Sequence, residues 1–109
     1  MAYDEEIARR VRSAAADREG VTERAMFGGL AFMLEGHMFC GVVGDELMLR
    51  LGTEQADAAL ERPHVRPMDF TGRPMAGMVF VAREGLRGPA LRRWLDRAAA
   101  FVCTLPPKR

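Results

Sequence analysis

Three apolar stretches, 30–35, 37–43 and 46–51, follow one another with only Glu35-Gly36 and Gly44-Asp45 at the joins. Glycine beside an acidic residue in a two-residue connection is a tight hairpin signal, so these stretches are constrained to an antiparallel meander. Two-residue loops also set the register. Met33 then faces Met38, Ala31 faces Cys40, Val42 faces Leu47 and Cys40 faces Leu49. One face carries Ala31, Met33, Met38, Cys40, Val42, Leu47, Leu49 and Leu51; it is wholly apolar and is the expected core face. The other carries Leu30, Phe32, Leu34, His37, Phe39, Val43, Glu46, Met48 and Arg50. A solvated sheet face is more polar than this. Phe32, Leu34, Phe39 and Met48 are therefore the expected interaction residues, for a protein partner or a second copy of the chain, the rival reading being that a helix of the same chain covers this face.

The flanking segments supply helices. Over 4–18, Tyr3, Ile7 and Val11 recur at helical spacing behind an acidic first turn of Asp4, Glu5 and Glu6, and Gly20 follows as a stop. Residues 21–29 read as a connection whose closing Gly28-Gly29 leads tightly into the first strand. No phosphate-loop spacing accompanies that glycine pair. A short helix is expected over 53–61, with Thr53 as its N-cap and Pro63 ending it. Then come a short strand at 68–70, a turn over 71–74 and a strand at 77–83. The last has Met78, Phe80 and Ala82 on one side and Val79 and Val81 on the other, which suits a central position. Gly88-Pro89 opens the final helix, whose stripe of Leu91, Trp94, Leu95, Ala98, Phe101 and Val102 makes it the main one packed on the sheet. The tail over 106–109 is expected to fray. The expected fold class is α+β: a single antiparallel five-stranded sheet with helices packed beside it, in the order α-β-β-β-α-β-β-α, as one domain over 1–109.

Hydrophobic residues make up 49% of the 109 and charged residues 28%, which excludes a disordered or low-complexity chain. No apolar run reaches the ~18–20 residues of a membrane span, and no apolar leader is visible, so a cytoplasmic protein is expected. The net charge of +1 is unevenly spread. Residues 1–61 hold 12 acidic and 6 basic side chains, and residues 62–109 hold 3 and 10. Folding is expected to bring these halves together and cancel much of the asymmetry. Arg87, Arg92, Arg93 and Arg97 offer a basic side on the last helix, the candidate nucleic-acid contact, although adjacent helical positions point ~100° apart and break the row.

The residues for catalysis are sparse. His37 and His64, the two histidines, sit at a hairpin tip and in a loop. Ser13, the sole serine, lies on a helix without a nucleophile elbow. Cys40 faces the core, Cys103 lacks an activating electropositive setting, and the two are expected to be free thiols. His37 and Cys40, three apart in a strand, are expected on opposite faces and unable to share a metal. No catalytic residue, metal ligand or cofactor is expected.

The segment Arg24-Ala25-Met26-Phe27-Gly28-Gly29, followed by Glu35-Gly36-His37-Met38-Phe39 and Leu47-Met48-Leu49-Arg50, resembles the N-terminal domain of the TfoX/Sxy family of competence regulators. Phe70-x-Gly72-Arg73-Pro74 and Leu91-x-x-Trp94 extend the likeness, which spans residues 2–102. The resemblance implies an α+β fold of the secretion-chaperone class and a bacterial cytosolic protein with a regulatory, non-enzymatic role. Full-length regulators continue into a helix-rich C-terminal domain, and this chain is expected to act without one. No catalytic residue transfers from the family. The expected function is a small regulatory or adaptor domain that self-associates or docks a protein; the alternative is a transcription cofactor touching nucleic acid through its basic last helix.

Overall fold

The computed structural model describes residues 3–26, 28–70 and 73–106. Helix α1, Glu5–Ala15, starts where the acidic turn places it. The Asp4 carboxylate accepts a hydrogen bond from the Ile7 N–H at 3.0 Å, an N-cap that satisfies a backbone donor the helix leaves unpaired. That bond, with the nearby Arg83 guanidinium, holds the Asp4 carboxyl below its ordinary range. Ile7, Ala8, Val11 and Ala15 form the buried stripe.

The strands are β1 (Val21–Met26), β2 (Gly29–Leu34), β3 (His37–Val43), β4 (Glu46–Arg50), β5 (Val65–Phe70) and β6 (Arg73–Ala82). They form one antiparallel sheet in the order β1-β2-β3-β4-β6-β5. The described residues thus give six strands, not the five expected, and four strands precede the second helix. The additional strand is β1, over residues expected to form a connection. Its residues 22–25 are exposed, so Thr22, Glu23 and Arg24 show no apolar alternation. An edge strand held mainly by its backbone ladder needs none. All six of its residues pair with β2, and Gly28 supplies φ +71° at the turn.

The central meander keeps its hairpins but not its full register. Glu35 and Gly36 both take positive φ, and Val43 faces Glu46 across the second turn. Met33 faces Met38, Val42 faces Leu47 and Cys40 faces Leu49, as expected. Cys40, however, lies opposite Phe32, and Ala31 lies opposite Gly41. Phe39 is the extra residue of a bulge, which lets it and Cys40 point to the same side. A one-residue shift exchanges the faces of everything beyond it. Leu30, Phe32, Leu34 and Phe39 therefore join Cys40, Val42, Leu47, Leu49 and Leu51 in the core, while Met33 and Met38 turn to the reverse face.

Helices α1, α2 (Thr53–Ala59) and α3 (Ala90–Val102) all pack on that core side. The cap of α2 is Gly52, at φ +82° and without a side-chain bond, rather than Thr53. A Cβ on Gly52 would come within 2.6 Å of the Phe101 ring, and the N–H groups of Leu51 and Gly52 both donate to the Gly77 carbonyl. Close approach, rather than capping, decides this position. A 3-10 turn, Arg83–Leu86, leads toward α3. Leu91, Trp94, Leu95, Ala98 and Val102 are buried along α3, worth about 2 kcal/mol for each large side chain. Phe101 stays half-buried over Gly52.

The two charge-biased halves meet as expected. Asp4 pairs with Arg83, Asp17 with Arg92 at 2.8 Å, and Glu46 with Arg66 at 2.7 Å. The middle of the expected turn, residues 71–72, and residues 107–109 of the tail lie outside the described residues.

Candidate functional site

With three helices on one face, no helix among the described residues covers the reverse face of the sheet. Its floor is Met48, Met68, Met78 and Phe80, all buried, with Met38 and Val43 packed against them. Met33 lies beside Met38 as its cross-strand partner. The Met48 methyl group reaches over Gly41, within 2.9 Å of where a Cβ would stand, so the small residue in β3 makes room for the long one in β4. Arg66 closes one side: its guanidinium lies 4.5 Å from the centre of the Phe80 ring and grips Glu46 through two hydrogen bonds of 2.9 and 2.7 Å. Met33, Met38 and Val43 remain half-exposed.

The four residues expected to dock a partner are not surface groups. Phe32 is 1% exposed, Leu34 4% and Phe39 0%, all beneath the helices, and Met48 is 0% exposed in the reverse cluster. The bulge at Phe39 is the physical cause, because it turns the aromatic side of the meander inward. The reading of these residues as an interaction surface is corrected accordingly. Met33, Met38 and Val43 are what sequence reasoning missed. Both faces of β2 and β3 are apolar, so periodicity carried no sign of the shift.

The arginines do not form a row. Arg92 is tied to Asp17. Arg97 and Arg62 flank the Trp94 ring, 5.2 and 5.5 Å from its centre. Arg87 and Arg93 are exposed and have no ion pair among the described residues. His37 contacts the Pro106 carbonyl through Nε2 at 2.6 Å, and the His64 carbonyl accepts from the Ala82 N–H at 2.8 Å. The bulge places His37 and Cys40 on the same side of the sheet, not on opposite sides as expected. Cys40 is wholly buried there, which pushes its thiol pKa up and keeps it protonated; Cys103 is exposed. Among the described residues, no group of three or more His, Cys, Asp or Glu side chains could hold a metal ion, and no helix is long and apolar enough to cross a membrane.

The family described as TfoX N-terminal domain matches residues 13–102. The chain belongs to the TfoX N-terminal domain family. No curated protein and no solved structure gives a match. The matched span begins inside α1 and ends with α3, so the TfoX N-terminal domain includes all six strands found among the described residues and α3, which packs on β3 and β4. Membership is consistent with a small regulatory or adaptor domain.

Proposed function

We propose that the chain is a small, non-enzymatic regulatory or adaptor domain of the cytosol that acts through protein–protein contact and self-associates. One observation supports this above the others: among the described residues, all three helices stack on one face, and a strip of Met33, Met38 and Val43 lies half-exposed on the other. Thioethers on flexible stems adapt to a facing surface. The strip is uncharged, so its own image across a two-fold axis is a fitting partner, with sheets stacked about 10 Å apart. The two free cysteines suit a reducing compartment.

Sedimentation at micromolar concentration tests the reading. The expected result is a mass above that of a monomer, reduced to monomer by Met38→Glu with the circular dichroism unchanged. A monomer at every concentration, or an undisturbed assembly in Met38→Glu, would refute it.

A further inference from the structure

The two edges of the sheet are unlike. Edge β5 contains Pro67, which has no N–H to donate, and a register break between Pro67 and Asp69. Both features obstruct the addition of another strand. Edge β1 has neither, and its ladder runs unbroken from Val21–Leu34 to Met26–Gly29. Its hydrogen-bonding phase follows from one contact beyond its end, where the Gly20 carbonyl accepts from the Glu35 N–H at 3.2 Å. Residues of an antiparallel strand alternate between bonding their neighbour and pointing away. Thr22, Arg24 and Met26 therefore bond β2, and Val21, Glu23 and Ala25 present N–H and C=O outward. Among the described residues no strand takes up those groups.

Beside this edge, on the helix side, lies an open groove of about 530 Å³ between the end of α1 and β1. Ala15, Ala16 and Val21 give it apolar walls, Thr22 and Arg18 add polar ones, and the Arg12–Glu23 pair at 2.8 Å and the Arg18–Asp96 pair at 2.7 Å balance the charge at its rim. On the opposite side of β1, Arg24 is exposed with no ion pair among the described residues.

We infer that β1 is a strand-addition site for an extended, apolar–acidic–apolar segment of a partner protein. The segment's backbone completes the ladder on Val21, Glu23 and Ala25. One apolar side chain, opposite Glu23, enters the groove beside α1, the other lies opposite Ala25, and the carboxylate between them, on the other side of the added strand, meets Arg24. A second copy's β1 fits less well. A two-fold axis through the joined edges pairs residues of like parity, so the central registers oppose Glu23 to Glu23, or Arg24 to Arg24. Like charges directly opposite one another destabilise a strand pair. This inference concerns the edge and stands independently of self-association through the methionine face.

The test uses the full chain, isotope-labelled, with the synthetic peptide Thr-Ile-Glu-Ile-Thr capped at both ends, followed by NMR. The expected outcome is slowed amide exchange at Val21, Glu23 and Ala25. Replacing the peptide's Glu by Lys weakens binding at least fivefold, and Arg24→Glu in the protein reverses that preference. A peptide N-methylated along its bonding edge does not bind; because only the probe changes, this control is immune to misfolding of a variant. Absence of binding up to millimolar peptide, equal binding of the methylated peptide, or shifts confined to Met33 and Met38 would each overturn the inference. So would protection of the three β1 amides in the protein alone through pairing with a second copy.

Discussion

Leu47 and Met48 are neighbours in β4, both are wholly buried, and they are buried by different means. Leu47 lies among branched and aromatic side chains supplied by three helices and four strands. Met48 lies among thioethers on the face that no described helix covers, with Gly41 below its methyl and Arg66 beside Phe80 at the margin. The first side is close-packed by rigid shapes, where a lost group leaves a cavity. The second is filled by flexible chains that can re-pack. Equal burial therefore does not mean equal rigidity.

The contrast can be broken most directly at Phe39. Phe39→Ala is expected to cost about 3–5 kcal/mol, read as a lowered urea midpoint with an unchanged slope. A cost near that of a surface substitution would mean that the covered side is no more tightly packed than the reverse one. On the reverse side, Met48→Leu keeps the volume and is expected to cost less than about 1.5 kcal/mol. A loss as large as that of Phe39→Ala would show that the thioether cluster is rigid after all.

A smaller, pH-dependent effect sharpens the picture at the edge of the covered side. The Asp4 carboxyl is lowered in the folded chain, chiefly by the Ile7 N–H and also by Arg83. A depressed carboxyl contributes stability above its ordinary pKa of 3.8 and loses it as pH falls through the folded value. Asp4→Asn should therefore be less stable than the native chain near neutrality, with the gap closing below that range. A gap that persists undiminished in acid would assign the cap no ionic part. The mildest probe leaves stability untouched: at neutral pH a thiol reagent should label Cys103 rapidly and Cys40 only after unfolding. Early labelling of Cys40 would reveal an opening in the covered side.

Features that depend on local chemistry were legible before the fold. Asp4 before an acidic turn announced a helix, and Glu35-Gly36 and Gly44-Asp45 announced two hairpins. The valines and methionines of β6 announced a strand apolar on both sides. Features that depend on a neighbour were hidden. Thr22-Glu23-Arg24 looks like loop because an edge strand needs no buried side chains. Phe39 shifts the register because a helix layer wants both it and Cys40, and nothing in an evenly apolar run records that demand. Gly52 displaced Thr53 as cap because a ring 49 residues away sits on it. The candidate site inherited the second error: the residues expected at the surface went inside, and the methionines expected inside came out.

Pro67 has a consequence beyond its own strand. A sheet with two receptive margins can go on recruiting copies end to end into a fibre, whereas one whose far margin is blunted accepts a single newcomer and is then complete. The imino ring at one end thus acts as a terminator, allowing the opposite end to stay open without inviting runaway polymerisation.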